Sequence, residues 1–212
     1  MIGAATALGS RTPRRYVPST GFQILAGDVG FFGIGAPLGR LTSDQLDAMA
    51  YLSLSAGAQL RLTPWRSILL AGLKKSEALS VGRQLAGADL IVDPADPRLA
   101  VAACSGAPVC GRATVPARSD AVALAALARG LAPEGVVLHL SGCEKGCARA
   151  GSSRITLVGR EGHYDLVLDG PASGKPLRRG LTLAEVTATL ADLNARLTEP
   201  AGPELRYSGA LG

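Results

Sequence analysis

An α+β fold is what this sequence predicts, and three observations predict it. Runs with strand character and segments with helix caps follow one another in mixed order. A turn-rich hinge, Asp93-Pro94-Ala95-Asp96-Pro97, divides the chain in two. The 212 residues are 47% apolar and rich in Ala, Gly and Leu, with only 4% aromatic, which is the composition of a globular chain able to bury a core.

In the first half, residues 1–20 show no periodicity and read as a tail. Phe22 to Leu25 and Gly30 to Ile34 read as strand pieces interrupted by glycine. Thr42-Ser43-Asp44-Gln45 has the form of a capping box, and the helix it opens carries Leu46, Met49, Ala50 and Leu54 as its apolar stripe and stops at Gly57. Gln59 to Thr63 alternates like a half-buried strand, and Ser67 to Leu70 resumes strand character after Pro64-Trp65-Arg66. A second helix follows from Lys75 to Leu85, then a short strand, Leu90 to Val92. Residues 21–92 thus have the proportions of a ferredoxin-like α/β plait.

The second half, 93–198, reads as an α/β domain. Leu99 to Ala103 leads into a cysteine pair, and Ser119 and Asp120 are placed to cap a helix running to about Arg129. Val136 to Leu140 is a buried strand, and Arg154 to Val158 pairs with Tyr164 to Leu168 as a hairpin around Gly159-Arg160-Glu161-Gly162. Thr182-Leu183-Ala184-Glu185 is another capping box, opening a helix to about Leu197 with Leu183, Val186, Leu190 and Leu193 on one face. The Pro/Gly-rich residues 199–212 read as a second tail.

Charge and flanking segments narrow the function. The net charge of +5 is carried mostly by arginine, whose planar fork matches carboxylates and phosphates. No basic run is interleaved with aromatics, so nucleic acid is not an expected partner. No long uncharged apolar run and no secretory leader pattern are present, so neither a membrane span nor export is expected. A cytoplasmic location follows as the expectation, and with it reduced thiols.

The chemistry concentrates in four cysteines, the only ones in the chain: Cys104 and Cys110 as C-x5-C, then Cys143 and Cys147 as C-x3-C in Ser141-Gly142-Cys143-Glu144-Lys145-Gly146-Cys147. A disulfide pair conflicts with a reducing compartment. Structural zinc is a second reading, though zinc sites usually space their cysteines by two to four residues at both ends. An iron–sulfur cubane is the third, and the wider first loop, with glycine and proline around the thiols, suits its larger volume. The Ser-Gly-Cys turn at a strand end would present backbone amides to the cluster sulfurs. Lys145 and Arg149 flank the second pair, where they would offset cluster charge, contact a substrate carboxylate, or simply be solvated. His139, inside an apolar strand, reads as a buried and hydrogen-bonded histidine rather than an iron ligand, and His163 as a solvated turn residue.

These residues carry a resemblance. C-x5-C followed by Ser-Gly-Cys-x3-Cys resembles the cluster motif of the sulfite and nitrite reductase superfamily, and Arg61-Leu62-Thr63-Pro64-Trp65-Arg66 resembles its R-x-T strand. Pro37 to Thr42, Leu62 to Ser67, Asp93 to Leu99 and Cys143 to Cys147, in that order, are most similar to the precorrin-3B synthase branch. The resemblance implies one half of the sulfite/nitrite reductase fold. It implies a [4Fe–4S] cluster on Cys104, Cys110, Cys143 and Cys147, with Cys147 bridging to a second iron, in sirohaem or in a substrate-associated non-haem centre. It also implies an oxygen-dependent hydroxylation and lactone formation on precorrin-3A in aerobic cobalamin biosynthesis, fed by an electron donor. Arg61 and Arg66 would then bind tetrapyrrole carboxylates, and Trp65 would lie against the macrocycle face. The alternatives are a small sirohaem-dependent sulfite or nitrite reductase acting as a dimer, and a non-catalytic cluster- or zinc-binding module. Family members carry two homologous halves and this sequence resembles the second alone. A homodimer, a separate first-half subunit or a fragment of a longer chain is therefore implied.

Overall fold

Glycine and aspartate at 27 and 28 turn the chain between its first two strands, β1 (Gly21–Ala26) and β2 (Val29–Gly35). The computed structural model describes residues 20–64, 66–131 and 135–198. Helix α1 (Ser43–Ser55), strands β3 (Gln59–Leu62) and β4 (Ser67–Lys74) and helix α2 (Lys75–Gly87) complete the first unit. Its antiparallel sheet has the order β1-β2-β4-β3. Phe32, Ile34, Ile68 and Leu70 from the sheet pack with Met49, Leu52, Val81 and Leu85 from the two helices.

Three details of this unit differ from expectation. The stripe assigned to α1 is rotated: Leu46 and Leu54 are 51% and 84% exposed, while Gln45, Met49 and Leu52 are buried. The cap sets that rotation. Gln45 accepts from the Thr42 amide through Oε1 at 3.0 Å and donates through Nε2 to the Ala88 carbonyl at 3.0 Å, so a polar residue holds the inward position. Strand β3 is exposed throughout rather than half-buried, because it is the outermost strand and pairs only with β4. Leu90 to Val92 forms no strand but a single bridge, Gly35 to Ile91, since β2 ends at Gly35 and a 3₁₀ turn begins at Pro37.

The second unit starts with β5 (Val101–Ala103), crosses through α3 (Ala117–Leu131), and returns as β6 (Leu138–Ser141) beside β5. The hairpin β7 (Ser153–Arg160) and β8 (His163–Gly170), strand β9 (Arg178–Leu181) and helix α4 (Leu183–Thr198) follow. The sheet order is β5-β6-β7-β8-β9, with β5, β6 and β7 parallel and the rest antiparallel. Leu138, Leu140, Ile155, Leu157 and Leu166 face Leu124, Ala128, Val186 and Leu190 of α3 and α4 in one core. The hairpin turns on Glu161 and Gly162 alone, both with positive φ (50° and 80°), while Gly159 and Arg160 extend β7. The α4 cap is as read, with the Glu185 amide donating to Thr182 Oγ1 at 3.3 Å. Sequence reasoning missed β9, whose Arg-Arg-Gly-Leu has no apolar alternation. Asp165 ties it down, accepting from Arg179 at 3.2 Å and from the Gly180 amide at 3.1 Å.

Helix α3 begins at Ala117, after Pro116, rather than at a Ser119–Asp120 cap. Asp120 is instead buried and accepts the Tyr164 hydroxyl at 2.6 Å, across to β8. Burial, helped by that hydrogen bond and the Asp120 charge, pushes the Tyr164 pKa up. Tyr164→Phe would leave the buried carboxylate without this donor. An expected loss of about 1.5–3 kcal/mol follows from hydrogen bonds to charged groups, readable as a lower urea midpoint at unchanged slope. An unchanged midpoint would show that the pair contributes nothing net.

Candidate metal centre

The parallel pairing of β5 and β6 brings the two cysteine-bearing loops side by side. Ala103 is registered with Leu140, so the loops leaving the two strands start side by side at one end of the sheet. The first loop, after β5, carries Cys104 and Cys110; the second, after β6, carries Cys143 and Cys147. Such strand ends are where open α/β sheets place ligands.

Backbone contacts hold the two loops against each other. The Cys104 amide donates to the Leu140 carbonyl at 3.2 Å and the Thr114 amide to the Gly142 carbonyl at 3.2 Å. The Gly142 amide points at the Cys104 sulfur, 3.1 Å away, so one of the amide-to-sulfur contacts expected of the Ser-Gly-Cys turn is present. Ser141 Oγ donates to the Cys143 carbonyl at 2.6 Å and stiffens the same turn. Close approach here depends on glycine. A Cβ on Gly142 would lie 2.5 Å from Ala113 Cβ, and one on Gly159 would lie 2.4 Å from Val115 Cγ2 and 2.7 Å from the Gly142 carbonyl oxygen.

All four thiols are free, three of them half-buried and Cys147 exposed. Among the described residues no three His, Cys, Asp or Glu side chains lie close enough to share one metal ion. Free thiols, an amide aimed at sulfur and a glycine-dependent cradle fit an iron–sulfur cluster.

Two arginines share a cavity with two of the thiols. A cavity of about 320 Å³ is lined by Leu38, Arg66, Cys104, Arg118 and Cys147 among others. A second, of about 420 Å³ and lined by Arg66, Arg98 and Arg149 among others, lies between the two sheet units. Arg66 is common to both. It adopts the left-handed conformation (φ 61°), uncommon for a side chain of its size, and its guanidinium donates to the Ala148 carbonyl in the second cysteine loop. The β3–β4 connection is thereby fastened to the second cysteine loop.

The other expected ligand-binding residues divide. Arg149 lines the larger cavity and donates from Nε to the Ser152 carbonyl at 3.1 Å. Arg61 stands on the exposed β3 strand, bonded to Gln59 at 3.0 Å, and lines neither cavity. Lys145 is exposed on the cysteine loop and lines neither. Trp65 lies outside the described residues.

Arg118 was missed. It lines the smaller cavity beside Cys104, where burial and the like charge of Arg40 lower its pKa while Cys104 acts the other way. No motif marks it, and its one signal is its place in the first turn of the helix after the first cysteine loop. His139 is buried as expected, but neither ring nitrogen has a hydrogen-bond partner among the described residues, so it is not the satisfied histidine its apolar strand implied. Burial, with help from Arg149 and Arg66, pushes its pKa down to about 4, so the ring is neutral near pH 7.

Comparison with known proteins converges on this architecture. Residues 25–88 match the family model described as the nitrite/sulfite reductase ferredoxin-like half domain. A precorrin-3B synthase from Sinorhizobium sp is 32% identical over 145 residues, covering 68% of this chain and 32% of that protein. The haemoprotein beta-component of NADPH sulfite reductase from Xanthomonas euvesicatoria pv. vesicatoria is 34% identical over 186 residues, covering 77% of this chain and 32% of its own length. The solved structure of Mycobacterium tuberculosis NirA superposes with a TM-score of 0.72 at 21% identity, covering 90% of this chain and 39% of NirA. These matches support a place for the chain in the sulfite and nitrite reductase superfamily, and it has part of the fold seen in NirA. Within that superfamily it is precorrin-3B synthase-like. It spans about a third of the length of the curated relatives it matches. No helix among the described residues is long and apolar enough to cross a membrane.

Proposed function

We propose that this chain is the cluster-bearing half of an oxidoreductase active site resembling that of precorrin-3B synthase. Residues 21–92 form its ferredoxin-like unit and 93–198 its cluster-binding unit. Cys104, Cys110, Cys143 and Cys147 hold a [4Fe–4S] cluster, which relays single electrons when bound. The reaction is the O2-dependent hydroxylation of precorrin-3A with lactone closure by a ring acetate. One oxygen atom enters the product and the other leaves as water, with two electrons and two protons from a cytoplasmic donor. Arg66, with Arg118 and Arg149, receives the macrocycle carboxylates, and the facing wall comes from a separate first-half subunit or a second copy. The observation that carries this reading is the pair of cysteine loops leaving adjacent parallel strands beside an arginine-lined cavity.

A second reading is a sirohaem-dependent sulfite or nitrite reductase acting as a dimer. It is favoured by the longer alignment to sulfite reductase, 186 residues against 145. Anaerobic purification separates these readings. Equal iron and acid-labile sulfide, with tetrapyrrole retained and O2-dependent turnover of precorrin-3A, supports the first. Bound sirohaem with sulfite or nitrite reduction supports the second. Zinc without iron or sulfide would overturn both in favour of a non-catalytic module. Arg66→Ala is expected to weaken tetrapyrrole binding about tenfold to a hundredfold, the worth of one charged hydrogen bond. Arg61→Ala should cost less, because Arg61 lines neither cavity; equal losses in a fluorescence titration would reverse these assignments.

A further inference from the structure

His139 is completely buried, 0% exposed, in strand β6. Its neighbours Leu138 and Leu140 belong to the core beneath α3 and α4, so strand alternation points the imidazole to the opposite face of the sheet. The second cysteine loop roofs that face. A Cβ on Gly146 would sit 3.8 Å from the ring Cε1, and the same position is 3.2 Å from Ala172 Cβ. Cε1 lies between Nδ1 and Nε2, so the polar end of the ring meets the loop at the residue before Cys147.

Buried polar atoms in folded proteins almost always have partners, and an exception calls for an explanation. Here both ring nitrogens are without one among the described residues. The nearby charges do not supply an acceptor, because Arg66 and Arg149 are donors only. A neutral imidazole offers one N–H and one lone pair, and what this position lacks is an electron-rich group to take the N–H. Iron-bound thiolates are such groups, and the loop over the ring carries a cysteine, Cys147, directly after Gly146.

We propose that His139 is a positioning residue of the four-cysteine centre, giving its ring N–H to the Cys147 thiolate when the cluster is bound. This rests on the reading of the site as a [4Fe–4S] centre. Hydrogen bonds to cluster sulfur stabilise the more negative, reduced state and so raise the reduction potential. His139 thus orients the loop and tunes the electron carrier without touching substrate. Gly146 belongs to the same device, since a side chain there would press on Ala172 and lift the loop from the ring.

The test uses the full chain, reconstituted anaerobically with iron and sulfide, as wild type, His139→Leu and His139→Gln. The readouts are cluster content, midpoint potential and the exchangeable-proton couplings of the reduced cluster. Leucine should shift the potential to more negative values and remove one exchangeable coupling. Glutamine, which retains an N–H donor, should recover at least half of the shift. A leucine variant with wild-type potential at equal cluster content overturns the inference, as does glutamine behaving like leucine. Should leucine lose the cluster altogether, glutamine decides: a loaded cluster near the wild-type potential supports the donor role, and loss of the cluster there too overturns it. A wild-type chain that assembles no cluster overturns the four-cysteine reading itself, and the role of His139 with it.

Discussion

Serine at Cys143 is expected to strip the iron–sulfur centre from the chain. The thiolate is the ligand, and a serine hydroxyl is neither as soft nor as readily deprotonated, so the fourth corner of the cubane is left to solvent. Changes to residues that merely support ligands cost about tenfold to a hundredfold in metal affinity, and removal of a ligand should exceed that. The fold should survive, because Cys143 is half-buried in a loop outside the apolar core. The expected result is therefore a protein with unchanged far-ultraviolet circular dichroism that retains only a small fraction of wild-type iron and acid-labile sulfide. Cys104→Ser should match it and also remove the sulfur that the Gly142 amide approaches at 3.1 Å. Cys147→Ser is informative differently: were its thiolate also to meet a second iron, as the resemblance implies, the spectra of both centres would change. Full retention of iron and sulfide in the Cys143 variant would show that this residue is no ligand.

Alanine at Gly159 should produce a large loss of stability for so conservative a substitution near the centre. The added methyl would lie 2.4 Å from Val115 Cγ2 and 2.7 Å from the Gly142 carbonyl oxygen. Val115 is buried at 1% exposure, and Gly142 is backbone between the two cysteine loops, so neither has room to yield. Overpacking of this kind costs about 1–3 kcal/mol. For a chain of this size each kcal/mol lowers Tm by roughly 2–4 °C. The control is Gly87→Ala at the end of α2, where a Cβ meets nothing within 4 Å and no loss is expected. Thermal unfolding of the cluster-free proteins measures both, and equal Tm values would show that the loops reseat freely.

Where local chemistry decides, the sequence was a good guide. The 153–170 hairpin and the stripe of α4 follow from alternation and capping, and the four cysteines stand out by number and spacing alone. Features set by distant partners were less visible. The rotation of α1 depends on Gln45 reaching the end of α2, and β9 depends on Asp165 rather than on any apolar pattern. Within the site, Arg66 is distinguished from Arg61 by a backbone conformation and by a carbonyl in another unit. Arg118 carries no motif. An apolar strand makes His139 look satisfied, and only the loop packed over it reveals two nitrogens without partners among the described residues.

The parallel β5–β6 pair also sets a timetable. Cys104 and Cys143 are thirty-nine positions apart, and the chain between them contains the whole of α3. In the unfolded chain the two halves of the site are strangers, and they meet only when the crossover has closed and β6 has docked on β5. On the ribosome, the first pair therefore waits for nearly all of the second loop to emerge before it has a neighbour. On the proposed reading, a cluster held by all four cysteines would follow formation of the sheet, and a filled centre would report correct folding of this half.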